Sequence, residues 1–149
     1  MISRAATQLT LAAGHELWLL NRGQRRPIPG TQALVARMDD PKAAQGWSLF
    51  LANANYGFYL ISKWPNDAIK VTTTKALAKK DTWQHVVVTY DGSGKAEGIK
   101  LYVDGVMAPL NLEVNKLTTS SQAKTPTRLG QRSTRLACSP PRHDHRAAG

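Results

Sequence analysis

Few residues in this chain of 149 have the types and spacing that chemistry requires. Trp64, Asn66 and Asp67 fall close together, and Tyr56 and Tyr59 come just before them. An aromatic face beside amide and carboxylate groups suits a sugar ring, so these five form the candidate ligand site. The plain alternative is that they are ordinary loop and strand residues. Cys138, His143 and His145 have the composition of a metal cluster. The two histidines stand at i, i+2 in a tail and lack a fourth ligand at normal spacing, so no metal site is assigned. Asp39-Asp40 could offer oxygens to calcium. A carboxylate pair just before Pro41 is also explained by a turn, so calcium has no support beyond that pair. Asp91 and Asp104 sit in turns, where local backbone hydrogen bonds account for them.

Glycoside hydrolysis needs two carboxylates held at a set separation across the sugar. The glutamates are Glu16, Glu97 and Glu113, and all lie outside the clearest strands. No glycine-rich phosphate loop runs from a strand into a helix. Nor is there an array of sheet-face aromatics with interleaved basic residues, as a single-strand nucleic-acid platform needs. Catalytic residues and cofactors are therefore assigned as none.

The elements that must position these residues are strands. Trp83 to Asp91 is rich in β-branched and aromatic residues. Trp83, Val87 and Thr89 share one face; Val86, Val88 and Tyr90 share the other. Both faces are largely apolar, which predicts a central strand covered on both sides. Asp91-Gly92-Ser93-Gly94 breaks it. From Gly98 to Asp104, Ile99, Leu101 and Val103 face a core while Lys100 and Tyr102 face away. Asp104-Gly105 is the dipeptide of a two-residue hairpin, where both central residues need positive φ. Further strands are expected at 33–38, 47–52, 56–62, 68–72 and 127–130, and a turn at Asn53-Ala54-Asn55. His15 to Leu20 reads as a short strand or a helical turn. Residues 63–67 read as a loop, 73–80 as a polar connection, and 111–125 as a long loop with room for one edge strand. Closely spaced strands with no convincing helix predict an antiparallel β-sandwich.

Charge is concentrated at the ends. The formal net charge is +10, with +3 on residues 1–30, +3 on 132–149 and +4 on the long middle. Such a surface attracts polyanions in a salt-dependent way, although a solvated surface with basic tails is the favoured explanation. No apolar run approaches a membrane span. Gln8 and Thr10 interrupt the apolar start, so there is no convincing secretory signal. The single cysteine, Cys138, forms no intramolecular disulfide.

The run Trp83-Gln84-His85-Val86-Val87-Val88-Thr89-Tyr90-Asp91-Gly92, followed by Ile99-Lys100-Leu101-Tyr102-Val103-Asp104-Gly105, resembles the centre of a laminin G-like domain. That family belongs to the concanavalin A-like lectin/glucanase superfamily. Trp47 to Leu51 and Thr127 to Gly130 match its neighbouring strands, and the resemblance covers residues 31–131. It implies a concanavalin A-like jelly roll of the kind found in large secreted bacterial proteins. It also implies an extracytoplasmic, non-catalytic module that binds carbohydrate or protein at a sheet face or rim. A structural or adhesive spacer and a basic polyanion binder are the alternatives. The Glu-x-Asp-x-x-Glu strand of the superfamily's hydrolases is absent, and His85 matches a strand residue packed beside Trp83.

Both ends diverge from the family pattern. Residues 1–30 form a divergent segment, 31–131 the core, and 132–149 a basic tail expected to be disordered. In the tail, Pro140-Pro141 forbids a closing strand. The abrupt change near Ser133 suggests a fragment or a lost reading frame. If the flanking strands are missing, the sheets have open edges and the chain should self-associate through them.

Overall fold

Alternating strands separated by tight turns leave each strand with one face to bury, and two stacked sheets do so. The computed structural model describes residues 15–22, 31–39 and 44–132. Ten strands are present among them: β1 (His15–Arg22), β2 (Thr31–Asp39), β3 (Gln45–Ala52), β4 (Asn55–Lys63), β5 (Asp67–Thr73), β6 (Trp83–Tyr90), β7 (Ile99–Val103), β8 (Val106–Met107), β9 (Leu110–Lys116) and β10 (Arg128–Leu129). They form a four-stranded sheet in the order β1-β6-β7-β8 and a six-stranded sheet in the order β10-β2-β3-β4-β5-β9. Every pairing is antiparallel. The chain is an antiparallel β-sandwich, as the sequence predicts.

The main core lies between the sheets. Val35, Trp47, Leu49, Tyr56, Phe58, Leu60, Ile69 and Val71 from the six-stranded sheet meet Val86, Val88, Tyr90, Ile99, Leu101 and Val103 from the other. Each set is one face of a period-2 pattern, so the alternation read from β7 holds in space. The Asp104-Gly105 hairpin forms with φ of 53° and 81°. Asn53 and Ala54 make a second such reversal, with φ of 50° and 64°.

Two open readings are resolved and one expectation is qualified. Residues 110–116 form β9 along β5 at the edge of the six-stranded sheet, the edge strand for which the stretch 111–125 left room. Its polar sequence hides the strand because only one flank is paired and most of its residues are exposed. His15 to Arg22 is a strand, β1, laid beside β6. It falls in the segment that composition sets apart, and it covers the flank of β6 that a missing opening strand would have left bare. Finally, β6 is central and its outward face is partly covered: Val87 is 8 % exposed, while Trp83 at the strand's start is 63 % exposed. The features read at 133–149, including the frame change, the prolines and Cys138, His143 and His145, lie outside the described residues, as does Asp40.

Gln84 occupies the core-facing row of β6 and is only 2 % exposed. A buried amide is tolerated only when its donors and acceptor are used. Here Tyr56 Oη donates to Gln84 Oε1 at 3.2 Å, and the Lys79 amide donates to the same oxygen at 2.7 Å. Gln84 Nε2 donates to the Leu77 carbonyl at 3.0 Å and to Asp104 Oδ2 at 3.3 Å. The other Asp104 oxygen accepts the His85 amide at 2.8 Å. Tyr56 belongs to one sheet and Gln84 to the other, so the network ties the two layers and fixes the connection at 77–79. Asp104 is therefore more than a turn residue; its carboxylate bonds across to β6.

After β9 the chain passes the ends of β5, β4, β3 and β2 before joining the far edge as β10. Polar side chains tether it along the way. Asp67 accepts from the Thr118 amide and from the hydroxyls of Thr118 and Thr119. The hydroxyls of Ser62 and Thr119 are hydrogen-bonded at 2.6 Å. Gln45 Nε2 donates to the Ser120 carbonyl at 3.0 Å, and Arg37 Nε donates to the Ala123 carbonyl at 3.1 Å. The hydrogen bonds from Thr119 and Thr118 hold the Asp67 carboxyl below its ordinary pKa. Asp104 is lowered likewise by the His85 amide and Gln84.

Two outcomes are expected. Gln84→Leu leaves the Tyr56 hydroxyl and the Lys79 amide without their shared acceptor in a dry interior, and should cost about 2–4 kcal/mol in urea unfolding at pH 7. Asp67 has a lowered folded pKa, so its contribution is complete above the ordinary carboxylate value of about 4 and disappears as pH falls through the folded value. Melting temperatures of wild type and Asp67→Asn should therefore differ at pH 7 and converge as pH falls through the lowered folded value of Asp67.

Candidate functional site

Strand parity decides what the five candidate residues can do together. In β4, Tyr56, Phe58 and Leu60 turn into the inter-sheet core. Gly57, Tyr59 and Ile61 alternate with them and face the other side of the six-stranded sheet. Tyr56 is 0 % exposed and its hydroxyl is bound to Gln84, so it is removed from the candidate site. Tyr56 and Tyr59 are three residues apart on a strand of period two, a spacing that already sets them on opposite faces.

Tyr59 is the centre of the away-facing side. Its cross-strand partners are Ser48 on β3 and Lys70 on β5. The Phe50 ring stacks on it with centroids 4.4 Å apart and planes at 26°. Trp64, from the turn after β4, meets it edge-on at 5.7 Å and 85°. The three rings step outward: Phe50 is 2 % exposed, Tyr59 is partly buried and Trp64 is 44 % exposed. Gly57 makes the step possible. A Cβ there would lie 2.2 Å from Phe50 Cζ, so the Phe50 ring can lie over this position only if it is glycine.

Charge surrounds the rings. The Lys70 ammonium and the Arg132 guanidinium each lie 5.6 Å from the Tyr59 centroid, within cation–π range. Lys70 is ion-paired with Glu113, which also accepts from the Thr72 hydroxyl at 2.9 Å. Partial burial pushes the Lys70 pKa down, but Glu113 and Tyr59 together outweigh it and the ammonium is held above its ordinary value. Arg132 Nε lies 2.8 Å from Met38 Sδ, which brings the end of the described chain onto this face.

The remaining candidates separate. Asn66 is exposed in the same turn as Trp64. Asp67 begins β5, and its carboxylate is spent on Thr118 and Thr119, so it acts as a tether. The structure thus brings Tyr59 and Trp64 together with Asn66 beside them, and takes Tyr56 and Asp67 away. Sequence reading missed Phe50, Gly57, Lys70 and Arg132. Strand alternation could have found Phe50 and Lys70; nothing local places Arg132.

Among the described residues no group of three or more His, Cys, Asp or Glu gathers as a metal site. No helix among them is long and apolar enough to cross a membrane. Several carboxylates carry structural bonds. Both Glu97 oxygens accept from Asn115 Nδ2 at 3.0 Å, and Asp91 Oδ1 accepts the Ser93 amide at 2.8 Å.

Comparison with known proteins agrees with this architecture. The family model Laminin_G_3, described as the concanavalin A-like lectin/glucanases superfamily, matches residues 23–139. The match extends beyond residues 31–131, where the resemblance was read, at both ends. No curated protein and no solved structure matches the chain. With a two-sheet sandwich whose central strands carry the expected motif, the chain belongs to the laminin G-like family of the concanavalin A-like lectin/glucanase superfamily.

Proposed function

We propose that this domain is a non-catalytic carbohydrate-binding module of a larger extracytoplasmic protein of bacterial type. In this reading the ligand lies against the exposed Trp64-Pro65-Asn66 turn that follows β4, beside the buried cluster of Met38, Ile61 and Ala68. The observation that carries it is Trp64, a large aromatic left 44 % exposed and held edge-on against Tyr59. Such a ring offers a rigid apolar surface at low entropic cost, and a pyranose presents a matching face of C–H groups. The exposed Asn66 amide stands ready for hydroxyls, and Lys70 with Glu113 borders the platform. Membership of a lectin-like superfamily supports the same reading. So does the engagement of Glu97, Glu113, Asp67, Asp91 and Asp104 in structural hydrogen bonds, which speaks against a hydrolytic pair. The net charge of +10 favours one second reading, a polyanion binder.

A glycan array with the full chain tests the proposal. A defined sugar should bind, and Trp64→Ala should weaken it at least about tenfold while leaving the melting temperature nearly unchanged, because a half-exposed ring contributes little to the core. Gly57→Ala should reduce both properties: the new methyl forces the Phe50 ring off its seat, costing about 1–3 kcal/mol of stability and shifting the Tyr59 platform. No glycan hit would favour a spacer or a protein ligand. Binding to any polyanion that collapses between low and moderate salt would favour the charge-driven reading.

A further inference from the structure

A strand ladder holds the turn at its end only as firmly as its last rungs. The β4–β5 ladder slips between Ile61 and Lys63, a bulge that leaves Ser62 outside the pairing. One rung, Lys63↔Asp67, closes the ladder beyond the bulge. Between those two residues lie Trp64, Pro65 and Asn66. The backbone that carries the exposed tryptophan therefore stands on a single pair past an irregularity.

A distant segment adds the fastening that the ladder lacks. The Thr119 hydroxyl is bonded to both stems of the turn, to Ser62 Oγ at 2.6 Å on one side and to the Asp67 carboxylate on the other. Thr118 donates its amide and its hydroxyl, the hydroxyl at 3.1 Å, to the second Asp67 oxygen. These contacts join residues 51 to 57 positions apart in the sequence. The segment is itself held to the sheet: the Ser120 carbonyl accepts from Gln45 Nε2 on β3, and the Ala123 carbonyl from Arg37 Nε on β2.

Counting protons gives the bridge a direction. An ionised carboxylate only accepts, and a hydroxyl carries one proton. Asp67 has a lowered pKa and is ionised at neutral pH. Thr119 therefore donates to Asp67, and Ser62 must donate to Thr119. Ser62, Thr119 and Asp67 form one directed chain in which each bond polarises the next. Its centre has to accept from one stem and donate to the other, which a hydroxyl does and an apolar side chain does not.

We propose that Thr119 is a positioning residue for the carbohydrate site. Its hydroxyl, bridging Ser62 and Asp67, holds the Trp64–Asn66 turn in the arrangement that presents Trp64 and Asn66 to a sugar. The role rests on the carbohydrate-binding reading of that turn, and Thr119 acts through the turn rather than by touching the ligand. Two supports then fix Trp64: Tyr59 meets its ring edge-on, and Thr119 ties down the backbone on both sides of it.

Two variants of the full chain separate the hydroxyl from the rest of the side chain. Thr119→Val removes it at nearly constant volume, and Thr119→Ser keeps it. On the glycan array at pH 7, Thr119→Val should weaken the signals that depend on Trp64 by about tenfold, the size of one hydrogen bond to a charged group. Thr119→Ser should recover most of that loss. The indole N–H resonance of Trp64, identified by its disappearance in Trp64→Phe, gives a second readout that needs no sugar. Thr119→Val should shift and broaden it while the Trp47 resonance, from the core, stays in place; Thr119→Ser should leave both near wild type. Equal losses in the two variants overturn the role, because the hydroxyl is then not what matters. Wild-type binding by Thr119→Val, with binding lost in Trp64→Ala, overturns it and leaves the site reading standing. An unmoved Trp64 resonance in Thr119→Val overturns it whether or not a sugar binds. No glycan bound by the wild type overturns the carbohydrate reading itself, and the role with it.

Discussion

A buried amide that must satisfy every polar group it carries holds the two layers in one relation. Gln84 stands in a row of valines on β6, where an unpaired side chain of its kind would be costly. It is tolerated because Tyr56 reaches it from the opposite sheet, the 77–79 connection lies against it, and Asp104 closes the network from the hairpin. Apolar packing between sheets is largely indifferent to a small slide; a fixed set of hydrogen bonds is not. The network therefore fixes which face of β4 is interior and which faces the other side of the six-stranded sheet.

The rest of the six-stranded sheet follows from that choice. With Tyr56, Phe58 and Leu60 committed inward, Gly57, Tyr59 and Ile61 must face away. The absence of a side chain at Gly57 lets Phe50 lie flat, Phe50 seats Tyr59, and Tyr59 seats Trp64. The segment after β9 is held at the strand ends by Asp67, Ser62, Gln45 and Arg37, and so ties β5, β4, β3 and β2 together. Polar side chains at the strand ends thus fix the chain's path, while Phe50 and Tyr59 on the other face seat Trp64.

The family relation and the site differ in how directly they bear on function. Membership gives the sandwich and the expectation of a binding module; it names no ligand. The proposed site rests on one exposed tryptophan and the residues that hold it. Carboxylates that the sequence leaves free for chemistry turn out to be employed: Asp67 in the tether, Glu113 with Lys70, Glu97 with Asn115.

The sequence by itself determined what depends on near neighbours. Alternation marked β6 and β7, and Asp104-Gly105 marked the hairpin because few other dipeptides accept positive φ twice. Turn residues separated the middle strands, and Trp64 with Asn66 fell in the predicted turn. Even the exclusion of Tyr56 was written there, in the odd spacing from Tyr59. Only the tertiary structure decided what depends on distant pairings. It placed β1 on β6 and β9 on β5, gave Asp67 to threonines about fifty residues away, and brought Lys70 and Arg132 around Tyr59. A strand's pattern records which faces are apolar, but not which strand will lie beside it or which distant group will claim its polar atoms. Those are settled when the two sheets close on each other.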